Sequence, residues 1–182
     1  MKKFGETNSL RDILKEELIN DSKTDEEDLQ KFFEEFPELI AGDEYDRVIP
    51  QATIIRDAGS PWRADFVLAP INQTEFCKVL ELKLPNVALT SQPRRGHLTF
   101  SAKVWGAIGQ LRDYARAFDS ATVRERFKKK YGTDIYKPDL HLIAGRQWDI
   151  QWIDSIRSLR KTEEVKIENW DAVLDRLKRR YA

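Results

Sequence analysis

Three side chains that could act together occur close to one another in the sequence: Asp65, Glu81 and Lys83. They belong to two apolar stretches separated by turn-forming residues, a pattern that predicts two β-strands joined as a hairpin. Because side chains alternate along a strand, Glu81 and Lys83 are predicted to share a face, and the neighbouring strand could place Asp65 beside them. Two convergent carboxylates beside a lysine are suited to hold Mg²⁺ and to stabilise developing negative charge.

A structural alternative for the same residues stays open from the sequence. Glu-x-Lys is common in a chain with 34% charged residues, and it recurs at Glu164 and Lys166. Asp149 precedes that second copy at a similar distance, but the residues between follow a helical period, so Asp149 is predicted to be a helix N-cap. Glu81 and Lys83 could likewise form a surface salt bridge on an edge strand, which would contribute little to stability.

The composition predicts one globular domain. The 182 residues are 41% hydrophobic and include nine Phe and five Trp, which is typical of a chain with a sizeable core. The single cysteine, Cys77, excludes an internal disulfide, is expected to be a small buried residue and fits a cytoplasmic protein. No apolar run is long enough to cross a membrane and no signal-peptide pattern follows Met1, so no membrane association is expected.

Charge is distributed unevenly although the net charge is zero. Residues 1–50 carry 7 Lys and Arg against 15 Asp and Glu, which leaves 24 basic and 16 acidic residues in the remainder. A net charge of zero is not the signature of a generic nucleic-acid binder, which is typically basic. The positive part is nevertheless the part that holds Asp65, Glu81 and Lys83.

Helical patterns open the chain. A short amphipathic helix is predicted over residues 9–19, capped by Ser9. Thr24 and Glu27 have the spacing of a capping box, and the apolar residues that follow predict a helix that ends near Pro37. Glu26 flanks the buried face of that helix and could reach inward.

The rest of the chain alternates between strand and helix patterns. The hairpin is preceded by a strand over 45–56 with Pro50 at an edge or bulge, and it is followed by an irregular loop over 85–97. Gln110 and Tyr114 share a face of the next helix. The further predictions are a helix over 101–118, a basic helix end at 124–130, a strand over 139–145, a helix over 149–160, a strand over 165–167 and a helix over 171–181. This order predicts an α/β domain with a mixed sheet.

Taken in order, these elements resemble the PD-(D/E)xK nuclease fold, with Asp65, Glu81 and Lys83 on its motif and Gln110 with Tyr114 on its Q-x-x-x-Y pair. The chain is more specifically similar to the Shedu anti-phage defence nucleases. The segments that carry this similarity are DLQKFFEEFPELI, Arg-Ala-Asp at 63–65, Glu-Leu-Lys at 81–83, AIGQLRDYARAF and YKPDLHLIAGR.

The resemblance implies a restriction-endonuclease-like fold, a mixed β-sheet flanked by helices. Residues 24–182 would form the nuclease-like domain and residues 1–23 a short helical extension. Shedu proteins commonly carry a longer N-terminal region than this.

The resemblance also implies hydrolysis of DNA phosphodiester bonds with Mg²⁺, or possible Mn²⁺, in antiviral defence. Asp65, Glu81 and the main-chain carbonyl of Leu82 would bind the metal, and Glu26 could complete the shell directly or through water, unless it is a solvent-exposed helix residue. Lys83 would orient or deprotonate the attacking water and stabilise the transition state. Gln110 would position Lys83, the water or a phosphate, unless it is an exposed helix amide. Tyr114 is expected in the core.

Arg94, Arg95 and Lys103 are expected near the mouth of the site, where they could bind the DNA backbone, or else belong to a solvated surface. The two histidines lack ligand spacing, so zinc is not expected. A homo-oligomer is a possible assembly. The alternative functions are a recombination or repair nuclease with the same fold, and a catalytically silent module for nucleic-acid binding or assembly.

Overall fold

The computed structural model of the chain describes residues 12–91 and 97–181. Its first helical segment, α1, is a π-helix. The helices are α1 (Leu14–Ile19), α2 (Glu26–Glu35), α3 (Glu38–Ala41), α4 (Ala102–Ala117), α5 (Ala121–Tyr131), α6 (Ile153–Lys161) and α7 (Trp170–Tyr181). The strands are β1 (Tyr45–Ile54), β2 (Trp62–Pro70), β3 (Lys78–Leu82), β4 (Thr90–Ser91), β5 (Thr99–Phe100), β6 (Asp139–Ile143) and β7 (Val165–Glu168).

Five strands form one mixed sheet in the order β1-β2-β3-β6-β7. The pairs β1/β2 and β2/β3 are antiparallel, whereas β3/β6 and β6/β7 are parallel. Pro50 lies in β1 at the edge of this sheet, as predicted, and edge strands are where a sheet tolerates proline. The mixed sheet flanked by helices confirms the predicted restriction-endonuclease-like class.

Each face of the sheet is covered by its own hydrophobic core. Alternation along β2 and β3 sends neighbouring residues to opposite faces. One face packs against α4 and α5, with Val67, Val79, Ile108, Leu111 and Phe127 among its buried residues. The other packs against α2 and α7, with Phe66, Leu80, Phe33, Trp170 and Leu177. The sheet is therefore the middle layer, and residues at the ends of its strands lie between two rigid helical layers.

The predicted capping box of Thr24 and Glu27 is wrong by one residue. Asp25 is the N-cap of α2, and its carboxylate accepts from Asp28 N at 2.9 Å while Asp28 accepts from Asp25 N at 3.1 Å. Two aspartates can accept hydrogen bonds from the two N–H groups that lack partners at the start of the helix, just as a threonine and a glutamate can. Glu27 instead forms an exposed ion pair with Lys31 at 2.7 Å.

Several predicted bounds also shift. The expected cap at Ser9 lies outside the described residues, and Leu14–Ile19 is π-helical. The basic stretch 124–130 is the interior of α5, which begins after Ser120 and ends at Gly132. The expected loop contains β4, which pairs with β5.

The predicted helix over 149–160 is split in the structure. It begins as a 3₁₀ turn, Ile150–Trp152, and continues as α6. Asp149 caps that turn, as predicted, by accepting from Gln151 N at 3.3 Å. Asp149 therefore caps a helical turn and does not lie on a strand beside the second Glu-x-Lys copy. Within the described residues, no helix has both the length and the apolar character needed to span a bilayer.

Candidate metal and catalytic site

The β2–β3 register places the two predicted carboxylates opposite each other. Phe66 pairs with Leu80 and Val67 with Val79, so one further step in the same register sets Asp65 against Glu81. Residues opposed in an antiparallel pair share a face, with Cβ atoms about 5 Å apart. The hairpin predicted from the sequence is confirmed.

The regular ladder ends at the pair Phe66 and Leu80, and the Asp65 side chain continues it. Leu82 N–H donates to Asp65 Oδ2 at 2.7 Å. The carboxylate thereby occupies the place of a main-chain acceptor beyond the last paired residue. This bond fixes Asp65 toward β3, while Leu82 itself is buried on the opposite face.

Lys83 joins the strand to helix α2 through two carboxylates. Its Nζ lies 3.0 Å from Glu81 Oε1 and 3.1 Å from Glu26 Oε2. Glu26 stands in the first turn of α2, where its side chain is 49% exposed and reaches Lys83. The side chain of Glu81 is only 2% exposed, so the alternative of a surface salt bridge is wrong. A buried pair of this kind is costly to desolvate and is weak evidence for a purely stabilising role.

Glu81 also carries an unsatisfied atom. Its Oε2 is buried and has no hydrogen-bond partner within the described residues. Leaving a buried acceptor unpaired costs about 1–3 kcal/mol. A cation between Glu81 Oε2 and Asp65 would remove that cost, so the donor chemistry fits a hard divalent metal.

The electrostatics of the cluster follow from its burial. Burial, reinforced by the charge of Asp65, raises the pKa of Glu81 to about 7. Burial also raises the pKa of Asp65, against the opposing effects of the Leu82 N–H and of Lys83. For Lys83, burial favours the neutral amine, but the contacts with Glu81 and Glu26 outweigh it and raise the pKa. Lys83 is therefore held as an ammonium, and a positive charge is favoured between the two carboxylates.

The acidic side chains do not form a larger cage. Among the described residues, no group of three or more His, Cys, Asp or Glu side chains is arranged to hold a metal. Glu26 is held by Lys83 rather than gathered with Asp65 and Glu81. Two side-chain carboxylates, supplemented by main-chain oxygen and water, are consistent with the sparse protein coordination that Mg²⁺ accepts.

Helix α4 is anchored to β2 beside the cluster. Tyr114 Oη donates to the carbonyl of Arg63 at 2.7 Å and accepts a hydrogen bond from Gln110 Nε2. Tyr114 is buried, as predicted, but its hydroxyl also ties the helix to the strand two residues before Asp65. Burial raises the pKa of Tyr114 to about 12, and the negative charges of Glu81 and Asp65 add to the effect. Gln110 contacts Tyr114, and its predicted role toward Lys83, water or phosphate stays a prediction.

An open groove of about 450 Å³ runs along this part of α4. Trp62, Gly106, Gly109, Gln110 and Tyr114 are among its lining residues. A cleft of about 920 Å³ lies at the other end of β2 and β3. It contains none of the clustered carboxylates, so we place the candidate site by its chemistry rather than by cavity size.

Of the three predicted DNA-contacting residues, Lys103 lies within the described part of the chain. Arg94 and Arg95 lie outside the described residues. Lys103 is exposed in the first turn of α4. Cys77 is buried, as predicted, with its Sγ 3.3 Å from the carbonyl of Asp134.

Two contacts to the site were not foreseen from the sequence. Gln30 Nε2 donates to the Asp65 carbonyl at 3.2 Å, and Trp170 Nε1 donates to the Lys83 carbonyl at 2.8 Å. Gln30 follows Glu26 by four residues, so their shared helix face was a usable signal. Trp170 lies 87 residues beyond Lys83, and no local pattern connects them.

Comparison with known proteins agrees with this architecture. The family model described as Shedu protein SduA, C-terminal, matches residues 23–174. No curated protein matches the chain. Because the matched residues cover most of the chain, it belongs to the family of the Shedu protein SduA C-terminal region.

Proposed function

We propose that this chain is a metal-dependent nuclease that hydrolyses DNA phosphodiester bonds. The Shedu family is associated with defence, and we assign the activity to antiviral defence. One observation carries the proposal: in the part of the chain that the structure describes, Glu81 Oε2 is buried without a partner beside the opposed carboxylate of Asp65. The Lys83 ammonium lies 3.0 Å from the other oxygen of Glu81. A merely structural ion pair would not require the second carboxylate.

The proposed metal ligands are Asp65 Oδ, Glu81 Oε2 and the Leu82 main-chain carbonyl. A bound Mg²⁺ would supply Lewis acidity, lowering the pKa of a coordinated water and offsetting charge on the phosphate. The hard oxygen donors suit Mg²⁺, and Mn²⁺ is an acceptable substitute.

Lys83 is proposed to orient the attacking water and to stabilise the anionic transition state. As an ammonium it donates hydrogen bonds and carries a compact positive charge. Its contact with Glu26 fixes the direction of its side chain. We propose that Glu26 acts through this contact, and that Gln110 and Lys103 serve substrate binding along α4.

Cleavage assays with plasmid, linear and single-stranded DNA test the proposal. The wild-type chain is expected to cut DNA with Mg²⁺ and not with EDTA. Glu81→Ala and Lys83→Ala are each expected to lose cleavage by at least about a hundredfold, the loss typical of removing one preorganised electrostatic group, while keeping a folded circular-dichroism spectrum.

The second Glu-x-Lys copy provides the matched control. Glu164 and Lys166 are exposed, so Glu164→Ala and Lys166→Ala should cut at the wild-type rate. Equal activity of the Glu81 and Lys83 variants with wild type would contradict the proposed site. Inactivity of wild type on every substrate would favour the silent module, and preference for branched DNA would favour a repair nuclease.

A further inference from the structure

Gln30 is an unusual residue for its position in the core. It is 6% exposed in α2, on the side of the helix that packs on the sheet, between the apolar residues Leu29 and Phe33. Its Nε2 donates to the Asp65 carbonyl at 3.2 Å and to Glu34 Oε1 at 2.8 Å. Its Oε1 is buried without a partner within the described residues. A buried amide with one unsatisfied atom is a poor choice for packing alone, because an apolar side chain would avoid that cost.

The Asp65 main chain needs an external anchor. On the β3 side, the last regular pair is Phe66 with Leu80. On the β1 side, Pro50 pairs with Phe66 and Ala52 with Ala64. Gln51, which stands between them and opposite Asp65 in the same register, has a φ of +47° and does not form a regular pair with it.

Such a left-handed residue in an edge strand distorts the ladder locally without shifting its register. Asp65 thus lies where β2 lacks a regular partner on either side. Gln30 supplies a donor to its carbonyl at this point.

We propose that Gln30 is a positioning residue for Asp65. This inference rests on the proposed metal-dependent function. The Asp65 side chain is held by Leu82 N–H and its main chain by Gln30, so the carboxylate is fixed at two points. Helix α2 contacts both strands of the hairpin, through Glu26 to Lys83 and through Gln30 to Asp65. The helix sets the distance between the first carboxylate and the glutamate–lysine pair.

The test is to measure Mn²⁺ binding to the full chain. The electron paramagnetic resonance signal of the free ion reports how much Mn²⁺ remains unbound. Gln30→Met keeps the length and the packing of the side chain but removes the donor. We expect its Mn²⁺ affinity to fall about tenfold, the lower range for loss of a residue that orients a metal ligand. The midpoint of thermal unfolding should stay near that of wild type, because the unsatisfied Oε1 is removed together with the donor.

Glu34→Ala is the matched control. It removes the other hydrogen-bond partner of Gln30 and leaves the contact with Asp65 in place, so wild-type Mn²⁺ affinity is expected. In cleavage assays, Gln30→Met should lower kcat and leave KM for DNA unchanged, because Gln30 is buried away from the substrate.

Each remaining outcome counts against the proposal. Wild-type affinity in Gln30→Met would overturn it, as would an equal loss in Glu34→Ala or a loss that accompanies unfolding. Failure of the proposed function is separately visible: the wild-type chain would then bind no Mn²⁺ at all. Binding by wild type with unchanged affinity in Gln30→Met would leave the metal site intact and remove only the role of Gln30.

Discussion

At the scale of single residues, Glu81 combines a structural cost with a proposed catalytic gain. It is nearly fully buried, one of its oxygens has no partner among residues 12–91 and 97–181, and its pKa is raised to about 7. A charge held under these conditions destabilises the metal-free protein, because the Lys83 ammonium contacts only one oxygen and does not replace the solvation lost by the other. The cost is understandable if the site exists to receive a cation.

Replacing Glu81 by an uncharged isostere should separate stability from binding. Glu81→Gln is expected to raise the free energy of unfolding of the metal-free protein at neutral pH by about 1 kcal/mol or more, since a buried charge is removed. The same variant should lose the stabilisation by Mg²⁺ that wild type gains through ligand linkage. Urea unfolding with EDTA and with Mg²⁺ measures both effects. A destabilised Glu81→Gln that still responds to Mg²⁺ would contradict this account.

The sequence predicted the clustering of Asp65, Glu81 and Lys83 better than the contacts that support the cluster. Asp65, Glu81 and Lys83 could be found because strand alternation and hairpin pairing are local rules. Gln30 and Trp170 could not be found with the same certainty, because their contacts depend on how α2 and α7 pack over the sheet. The one-residue error at Thr24 arose because Asp25 and Asp28 compete for the same cap.

At the scale of elements, α4 carries two glycines that its own packing does not explain. A Cβ at Gly106 or Gly109 would meet nothing within 4 Å. Both line the open groove beside Tyr114. Glycine inside a helix costs about 0.5–1 kcal/mol relative to alanine. A close approach of the DNA backbone along this groove would account for them.

Alanine substitutions test this reading of α4. Gly106→Ala and Gly109→Ala should each raise the free energy of unfolding by about 0.5–1 kcal/mol, measured by chemical denaturation. The double variant that combines Gly106→Ala with Gly109→Ala should bind DNA less tightly than wild type. Lower stability in either single variant would mean that the glycines have a packing role within the chain.

The loop after Lys83 depends on a different glycine. Gly145 follows β6 with a φ of +58°, and a Cβ there would lie 2.5 Å from the Val87 carbonyl. Its N–H donates to the Leu84 carbonyl at 3.1 Å. Gly145→Ala should therefore destabilise the protein by at least about 2 kcal/mol, through strain and overlap together. Thermal unfolding measures the loss, and a value within error of wild type would show that the loop can shift freely.

At the scale of the whole molecule, folding brings together regions whose charges differ in sign. The acidic first 50 residues supply α2, whose Glu26 contacts Lys83 in the positive remainder. The charge asymmetry was visible in the sequence, but its meaning was not, because net charge does not determine which surfaces meet. The order of strands and helices did predict the mixed sheet, since each element had its own periodicity.

Acid sensitivity of the fold should arise mainly at the buried β6–β7 contact. Burial alone raises the pKa of Glu168, but His141 Nε2 at 3.1 Å and Arg176 Nε at 3.3 Å outweigh it and lower the pKa to about 2. Burial lowers the pKa of His141 to about 4. The contribution of Glu168 to the stability of the fold is fully present at pH values above the ordinary pKa of 4.5, and it is lost as pH falls toward 2. Protonating His141 adds a penalty that grows between pH 6.5 and 4.

Both shifts therefore predict lower stability in acid. Glu168→Gln should flatten the decline in unfolding free energy between pH 4.5 and 2, by about 2 kcal/mol in total. Glu164→Gln is the control, because it removes an exposed carboxylate directly before β7. Its unfolding free energy should depend on pH as that of wild type does. The measurement is urea unfolding across that pH range, and an unchanged slope in Glu168→Gln would show that this contact does not set the acid limit.

The central claim is that the β2–β3 hairpin holds a divalent metal between its two carboxylates. Anomalous diffraction from crystals soaked in Mn²⁺ tests it most directly. The account predicts a peak within coordination distance of both Asp65 and Glu81, with the Lys83 ammonium beside it. Absence of a peak at these residues, or a peak confined to another acidic surface, would contradict it.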